Sequence, residues 1–333
     1  MNDAQTLINR ISNIELGSAA TAGNLALIPL LGNSPAKAAG TSGYLLYQNA
    51  RDTGLVSIEE VSEAGAVGQL RVSNRSDRPI LLVEGEVLLG MKQTRVLNLS
   101  ILVPAQTVLD VPVSCVESGR WHAVSAEATG TSPVNLAPSV RAAKTVTVAR
   151  SMRGGRSFAS DQGAVWAGVD RVLDRHGADA PSRSYADLGG GVGSRLGDIA
   201  NSLAPAPGQV GVIACVGGSV VCADLFEAPQ VLAALWSGLM SSYQAEALLV
   251  DPTPTRPLGA RADKAARGWF RSIAAGSPNV GPEIGLGAHV TLVAPNLEAA
   301  ALVHGGAVLH LSAFPAHQAA TATRFVPPAR RRS

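Results

Sequence analysis

The sequence predicts an α+β protein, with an antiparallel β-rich N-terminal part followed by C-terminal helices and two further β-hairpins. Apolar and polar residues alternate in several runs before about residue 125, and short turns join these runs. The apolar spacing typical of helices begins only after residue 160. Two Gly-Gly pairs further along each lie between Val-rich runs, which is a hairpin pattern. The order strands, then helices, favours α+β over alternating βαβ units.

The N-terminal strands are predicted from period-2 alternation. They are 54–61, 67–74, 79–86, 95–103 and 108–117. In 95–103 the apolar residues share one face, while Asn98 and Ser100 lie on the other. Pro112 lies inside the last run and predicts an edge strand or a bulge, because proline cannot donate to a sheet. The short turns between successive strands predict a meander or a sandwich.

The second half of the chain is predicted to be helical, with two hairpins. Ala, Ser, Thr, Pro and Gly dominate 126–160, which predicts a mobile connection with one short element near 140–148. Asp161 is expected to cap a helix, and further helices are expected between 185 and 203 and from 229 to 249. The hairpins turn at Gly217-Gly218 and Gly305-Gly306.

These elements predict a single integrated domain over residues 15–317. Its β-rich part ends near residue 125, the connection covers 126–160, and the helical and hairpin part covers 161–317. Residues 318–333 are expected to form a disordered basic tail.

Composition excludes several classes of protein. The chain has 333 residues and a net charge of +2, which is too close to zero to suggest a nucleic-acid-binding protein. It lacks an apolar run long enough to span a membrane, and its start does not resemble a signal peptide. The sparse cysteines show no CxxC spacing, so the sequence predicts no structural zinc and a cytoplasmic location. The two-residue turn at Gly217-Gly218 puts Val220 opposite Cys215, so Cys215 and Cys222 are predicted to be free thiols.

The densest set of functional side chains lies between residues 84 and 121. Charged residues make up only 16% of the whole chain, so this set is a local concentration. Polar groups on apolar strands must face solvent or be satisfied by partners or by a ligand. The candidates are Glu84, Glu86, Lys92, Gln93, Arg95, Asn98, Cys115, Glu117, Arg120 and Trp121.

Candidate catalytic residues within this set are Glu84, Glu86, Lys92, Cys115 and Glu117. Glu84 and Glu86 are two residues apart on a predicted strand, so both side chains should face the same way. Such a pair could divide acid and base roles or hold a divalent cation such as Mg²⁺. The alternatives are a solvated strand face and an internal salt-bridge network. No residues are assigned as metal ligands, and the cofactor is left open.

Candidate ligand-binding residues are Gln93, Arg95, Asn98, Arg120 and Trp121. Arginine binds phosphate through two parallel hydrogen bonds, and tryptophan stacks on bases. The alternative is a Trp121 side chain that closes one end of the fold, with Arg120 over its ring. For Cys115, a nucleophilic role requires a base that lowers the pKa of the thiol, and the alternative is a small buried side chain.

A long pattern in this region resembles a known prokaryotic family. The pattern consists of EGEVLLGMKQTRVLNLSILVPA from residue 84 and PVSCVESGRW from residue 112, with DQxxVW, GQVGV, SSYQAEAL and HLSAF further along. The chain resembles the ARG- and rhodanese-phosphatase-associated protein domain over roughly residues 15–317, where ARG means ADP-ribosylglycohydrolase. This resemblance implies a link to ADP-ribose or NAD-derived metabolites through genome neighbourhood. It supplies no established catalytic residues.

The leading hypothesis is therefore a cytoplasmic protein that binds, and could process, an ADP-ribose-like or NAD-derived nucleotide metabolite. Arg95 and Arg120 would hold phosphate and Trp121 would stack on the base. The first alternative is a noncatalytic interaction or scaffold module with a structural salt-bridge network. The second is a thiol enzyme that uses Cys115. Whether the protein is an enzyme stays open, as do its ligand, its protein partners, its oligomeric state and its regulation.

Overall fold

A computed structural model describes residues 2–32, 43–155, 157–189, 203–250 and 258–316. The helices are α1 (Asp3–Ser12), α2 (Tyr47–Asp52), α3 (Pro138–Arg153), α4 (Gln162–His176), α5 (Pro229–Ala247) and α6 (Leu258–Ala274). The strands of the first half are β1 (Ile14–Leu16), β2 (Ala20–Ala22), β3 (Leu25–Gly32), β4 (Leu45–Leu46), β5 (Val56–Glu60), β6 (Gln69–Asn74), β7 (Ile80–Leu82), β8 (Val87–Gly90), β9 (Arg95–Leu97), β10 (Ile101–Val103), β11 (Thr107–Cys115) and β12 (Ala128–Thr131). Those of the second half are β13 (Gln209–Val216), β14 (Ser219–Phe226), β15 (Ser277–Val280), β16 (Ala288–Ala294), β17 (Leu297–His304) and β18 (Ala307–Pro315).

The largest sheet joins the two ends of the chain. Its strand order is β1-β3-β13-β14-β18-β17-β16-β15, with β2 also paired to β3, and all of its pairs are antiparallel. Both predicted hairpins belong to it. Gly217 and Gly218 both have positive φ, as do Gly305 and Gly306, which is the backbone that tight hairpin turns of this type require. The N-terminal β3 pairs with the C-terminal hairpin strand β13.

Two smaller sheets hold most of the predicted N-terminal strands. One has the order β10-β7-β4, and the other has the order β12-β8-β9-β11-β6-β5. The predicted single strand 95–103 is wrong, because the chain breaks at 98–100 and β9 and β10 enter different sheets. The expectation that Pro112 marks a sheet edge is also wrong. Pro112 lies where the pairing of β11 changes from β6 on one side to β9 on the other.

Helices cover both faces of the large sheet, which confirms the α+β class. On one face, α1 and α6 pack through Leu7, Ile11 and Phe270 against sheet residues such as Ile28 and Ile213. The other face packs against α5 and against the three-stranded sheet, whose Leu81 and Leu102 belong to the same apolar cluster. Side chains on this second face of the large sheet are therefore covered by α5 and by the three-stranded sheet, which exclude solvent from them.

The segment 126–160 contains more structure than the one short element expected there. It supplies β12 and the 16-residue helix α3. Pro138 at the first turn suits a helix start, since that position needs no backbone donor. Twelve residues of α3 are buried, so the helix is a central element of the fold. Its small residues, Ala, Ser and Thr, allow close packing, and the same composition is typical of loops.

Other expectations for the second half have mixed outcomes. Asp161 caps α4 by accepting a hydrogen bond from the backbone N–H of Ala164, as predicted. The helix that begins at Pro229 is confirmed, whereas α6 was not predicted. Tyr185–Asp187 forms a short 3-10 helix, and most of the rest of the helix expected at 185–203 lies outside the described residues, as does the predicted tail 318–333. No helix among the described residues has both the length and the apolar character that crossing a bilayer requires.

Candidate functional site

The structure places most of the predicted site residues in two clusters. One of them contains Glu84 together with four residues that the sequence analysis did not select. We call Glu84, Arg141, Lys144, Asp224 and His310 the buried charge cluster. We call Lys92, Gln93, Arg95, Glu117, Arg120 and Trp121 the Trp121 cluster. Three further candidates, Glu86, Asn98 and Cys115, belong to neither group.

Glu84 and Glu86 lie in a turn and do not share a strand face. The turn joins β7 to β8, and Gly85 at its centre has φ of +92°, which side-chain-bearing residues rarely adopt. The two carboxylates consequently have different partners, and both are buried, with 4% and 1% of their residue surfaces exposed. The expectations of a common face and of a solvated face are both wrong.

Arg141 connects two buried carboxylates from different parts of the chain. Its Nε and Nη2 donate to Glu84 Oε2 at 3.0 and 2.7 Å. Its Nη1 and Nη2 donate to Asp224 Oδ2 and Oδ1 at 3.0 and 2.6 Å. One turn further along α3, Lys144 Nζ forms an ion pair with Glu84 Oε1 at 2.7 Å. Two cations thus balance two anions in a region from which solvent is excluded.

Asp224 has hydrogen-bond contacts with four different residues, one of which is the Cys222 thiol, whose sulfur lies 3.9 Å from Oδ2. Besides the two from Arg141, the hydroxyl of Tyr243 donates to Oδ2 at 2.6 Å. The ring of His310 lies with Nε2 3.3 Å from Oδ1. These contacts satisfy the lone pairs of the carboxylate, which is what a fully buried charge requires.

His310 links Asp224 to Ser100. The hydroxyl oxygen of Ser100 lies 2.7 Å from His310 Nδ1, on the opposite side of the ring from Asp224. The backbone N–H of Glu84 donates to the same hydroxyl oxygen at 2.9 Å. The ring of Phe226 stacks on His310 with 4.7 Å between the centroids. The imidazole is therefore fixed in both position and plane.

Opposing effects set the pKa values in the buried charge cluster. Burial raises the pKa of Asp224, but Arg141 and His310 outweigh it, and the pKa lies below its ordinary value. The pKa of Glu84 is also lowered, since Arg141 and Lys144 exceed the effect of its burial. For Lys144, burial lowers the pKa more than Glu84 raises it. At neutral pH both carboxylates are consequently ionised.

A small cavity borders this cluster. Its polar walls include Glu84, Ser100, His289 and His310. Its apolar walls include Leu99, Val148, Ala149, Met152, Val290 and Leu302. The volume of the cavity is about 20 Å³. A water needs roughly 10–15 Å³, so the cavity has room for about one water.

Within the Trp121 cluster, Arg120 is bound by its own loop. Its Nε and Nη2 donate to the Glu117 carboxylate at 2.8 and 2.6 Å. Its Nη1 donates to the backbone oxygens of Met91 and His122. Glu117 also accepts from the backbone N–H of Thr94 at 2.8 Å. This pair holds the end of β11 against β9 and leaves Arg120 few donors for a ligand.

Arg95 is only partly satisfied. It is fully buried, and its Nη1 donates to Gln93 Oε1 at 2.9 Å. Glu60 lies 3.7 Å from Nη2, beyond hydrogen-bond distance. Among the described residues, Nε and Nη2 of Arg95 have no hydrogen-bond partner. Unsatisfied buried donors are uncommon in native proteins, and each needs an explanation.

Trp121 covers this guanidinium. The centre of its ring lies 5.4 Å from Arg95 Cζ and 5.8 Å from Lys92 Nζ, and 45% of the residue is exposed. Both distances suit cation–π contacts. The structure thus brings Lys92, Arg95 and Trp121 together, whereas the sequence analysis considered Arg120 as the partner of the Trp121 ring. It places an aromatic surface at the boundary with solvent.

Glu86, Asn98 and Cys115 have separate surroundings. Glu86 accepts from the backbone N–H of Val83 at 3.1 Å and from Gln48 at 3.3 Å, and burial raises its pKa to about 7. The Asn98 amide donates to the Phe158 backbone oxygen. Burial raises the pKa of the Cys115 thiol to about 11, which is opposite to the shift that a thiol nucleophile needs.

Sequence reasoning missed four members of the buried charge cluster, Arg141, Lys144, Asp224 and His310. The one local signal was a carboxylate inside the otherwise apolar run 219–226, because an unpaired charge is rarely buried there. Arg141 and Lys144 have the i, i+3 spacing of a helix. They lie in the segment 126–160, which the sequence predicts to be a connection, so the spacing alone does not select them. His310 was interpreted as an ordinary core or surface histidine.

The described residues offer no ready metal site. No group of three or more His, Cys, Asp or Glu side chains is arranged there to hold a metal ion. The paired carboxylates Glu84 and Glu86, predicted as possible Mg²⁺ ligands, point to different partners. The Mg²⁺ hypothesis therefore has no candidate ligand set in this part of the chain.

A known protein family matches most of the chain. The family model described as ARG and Rhodanese-Phosphatase-superfamily-associated Protein domain matches residues 13–314. The search of curated proteins and the search of solved structures each give no significant match.

Proposed function

Because the chain belongs to the ARG and Rhodanese-Phosphatase-superfamily-associated Protein domain family, we propose that it binds an ADP-ribose-like or other NAD-derived nucleotide metabolite at the Trp121 cluster. The observation that carries the proposal is the pair of Arg95 nitrogens, Nε and Nη2, that lack hydrogen-bond partners beneath the half-exposed ring of Trp121. Phosphate groups supply the acceptors that a guanidinium lacks, and purines supply a planar surface for an indole.

The three side chains would divide the ligand between them. Trp121 would stack on the base, and Lys92 at the surface would approach a phosphate as a point charge. Arg95 would complete its hydrogen bonds to the same phosphate once the indole moves aside, since the ring covers the guanidinium in this structure. Glu117 would keep Arg120 and the loop in place, so Arg120 acts on the ligand through the loop.

Ligand titration followed by tryptophan fluorescence and calorimetry tests this proposal. The ligands are ADP-ribose, NAD and AMP, each with and without Mg²⁺, and millimolar inorganic phosphate serves as the charge control. We expect ADP-ribose to bind and Trp121→Ala to weaken the affinity by roughly tenfold to hundredfold, which is the effect of losing one base stack. Trp121→Phe should recover most of the affinity.

Val124→Ala provides the matched control. Val124 is an apolar residue near Trp121 in the chain and is 61% exposed. Its truncation therefore tests whether loss of any exposed apolar side chain in this loop lowers the affinity for the nucleotide. An equal loss of affinity in Val124→Ala and Trp121→Ala would contradict the stacking role. A well-folded protein that binds none of the nucleotides at millimolar concentration would contradict the proposed function.

A second candidate function is a noncatalytic interaction or scaffold module, and the Glu117–Arg120 pair favours it. The hydrogen bonds of Arg120 to Glu117, Met91 and His122 fix the loop without a ligand. Under this hypothesis Lys92→Ala lowers the melting temperature and changes no ligand response. Under the first hypothesis the same variant also weakens ADP-ribose binding.

A cytoplasmic location is part of the proposal. All three cysteines are free and buried, which suits a reducing compartment. Cys215 lies opposite Val220 in the β13–β14 pair, as the two-residue turn predicts, and Cys222 lies opposite Ala214. Fractionation of cells that express the tagged full-length chain checks the location.

A further inference from the structure

We infer that an open cavity beside the first turns of α5 binds a small organic monocarboxylate with a short apolar chain. The cavity lies between the segment 44–49, which contains β4 and the start of α2, and the beginning of α5. Its volume is about 270 Å³. Its walls share no residue with the Trp121 cluster or with the buried charge cluster, so the inference does not depend on the proposed nucleotide ligand.

The size and the access of this cavity suit a compact metabolite. A single water needs roughly 10–15 Å³, and pockets for drug-sized ligands begin at about 300 Å³. The cavity therefore has room for a ligand well below drug size. Asn49 and Ala234, which line it, are both exposed, so the cavity is open to solvent on their side. A small ligand can enter without displacing a packed side chain.

Arg78 determines the charge of the ligand. It carries the one charge among the described side chains that line the cavity. Its Nη2 donates to the backbone oxygen of Tyr44 at 2.9 Å, which holds the guanidinium at the wall. The Tyr44 hydroxyl donates to Glu227 Oε2 at 3.2 Å, so a carboxylate already lies near this wall. One cation balances one negative charge, and Glu227 disfavours a second, which selects a monoanion over a phosphate dianion.

Gln230 supplies a hydrogen-bond donor that lacks an acceptor. Its Nε2 is buried, and among the described residues it has no hydrogen-bond partner. A buried donor that stays unsatisfied costs free energy, and a carboxylate oxygen is an acceptor that removes this cost. Gln230 lies in the first turn of α5, whose cap residue Ala228 contributes no side-chain acceptor. The positive end of the helix dipole therefore adds to the attraction for an anion.

The remaining walls of the cavity are apolar. They are formed by Leu45, Leu46, Val231 and Ala234. An inorganic anion would leave these side chains in contact with water, whereas a short hydrocarbon chain would cover them, and each buried methylene adds to the affinity. The arrangement of one guanidinium, one unpartnered amide and an apolar wall is therefore complementary to a carboxylate that carries a short chain.

The first test is a titration of the wild-type full chain with hexanoate, followed by saturation-transfer NMR and by calorimetry. We expect a Kd of roughly 0.1–1 mM, as suits so small a ligand. Hexan-1-ol has the chain without the charge, and inorganic phosphate has charge without the chain, so each should bind at least about tenfold more weakly. Failure of hexanoate to bind, or equal binding of hexan-1-ol or phosphate, would overturn the inference.

A blocking variant tests whether the cavity is the site of binding. Ala234→Phe places a large side chain in the mouth of the cavity, and it should weaken hexanoate binding by at least about tenfold through overlap with the ligand. Ala233→Phe is the matched control, since Ala233 is the preceding residue of α5, is also exposed and does not line the cavity. Equal affinity in the two folded variants would place hexanoate elsewhere and overturn the inference.

A second pair of variants tests the amide. Gln230→Leu should weaken hexanoate binding by about tenfold, because a hydrogen bond to a charged group is lost. Its fold should be retained, since Nε2 of Gln230 has no partner among the described residues. Gln244→Leu is the matched control, because Gln244 is another amide of α5 without a partner there and lies outside the cavity. Wild-type affinity in folded Gln230→Leu would contradict the assigned contact.

Discussion

Arg141 of α3 and Asp224 of β14 are 83 residues apart in the chain and are joined by two hydrogen bonds of 3.0 and 2.6 Å. The same guanidinium contacts Glu84, so one side chain connects a turn, a helix and a strand of the largest sheet. Removal of one partner from a buried ion pair leaves an uncompensated charge, and this relationship leads to the first prediction.

Arg141→Met should destabilise the protein by roughly 3–5 kcal/mol, because Glu84 and Asp224 would remain buried with fewer partners. Urea denaturation monitored by circular dichroism measures the free energy of unfolding. The control is Arg71→Met, which breaks an exposed pair with Asp110 that is screened by water. Similar losses in both variants would show that burial of the Arg141 pairs is irrelevant to stability.

Glu86 should make the stability depend on pH between about 4.5 and 7. Its pKa in the folded protein is raised to about 7 from an ordinary value of 4.5. Between these values the folded state retains a proton that the unfolded state has released, so the free energy of unfolding falls as pH rises through this window. The full contribution is roughly 3 kcal/mol.

The measurement for Glu86 is a series of denaturation curves across that window for the wild type and for Glu86→Gln. Glutamine cannot titrate, so the wild type should lose stability relative to the variant as pH rises. Other titrating groups are common to both proteins and cancel in the difference. Parallel curves for the two proteins would mean that Glu86 has an ordinary pKa.

Gly211 should be intolerant of any side chain because β13 passes very close to β14. An added Cβ would overlap the Asp224 carbonyl oxygen and lie 2.9 Å from Leu225 Cα. We expect Gly211→Ala to cost about 1–3 kcal/mol through backbone displacement. The matched control is Gly268→Ala in α6, where nothing lies within 4 Å and a gain of about 0.5–1 kcal/mol is expected.

Thermal melts of the two glycine variants give the sign of each effect. Opposite signs support the close approach of β13 and β14 beside Asp224. A stable Gly211→Ala protein would indicate that the strands are farther apart than the structure has them.

The three cysteines should resist alkylation in the folded protein. Burial raises the pKa of Cys115 to about 11 and that of Cys215 to about 12, and the pKa of Cys222 also lies well above its ordinary value. Since the thiolate is the reactive form, iodoacetamide at mildly alkaline pH should label none of them until urea is added. Rapid labelling of native Cys115 would instead revive the thiol-enzyme hypothesis.

Local patterns were sufficient for much of the secondary structure. Alternation identified β5, β6 and most of β11, and the glycine pairs identified both hairpins. Asp161 and Pro229 marked two helix starts. These signals work because a cap, a tight turn or a strand face depends on residues only a few positions apart. Of helix α3 the sequence indicated only a short element near 140–148, because burial of the helix on several sides removed the one-sided apolar stripe.

The candidate site residues also differ in whether local sequence or tertiary packing reveals them. The sequence by itself identified Lys92, Arg95 and Trp121 as candidates, since all three lie within one short stretch of chain that is rich in functional side chains. Only the tertiary structure decided that Glu84 faces Arg141 and that His310 lies between Ser100 and Asp224. The physical reason is that a buried charge is stabilised by whichever partners the packing of distant elements provides, and no local spacing in the chain encodes that choice.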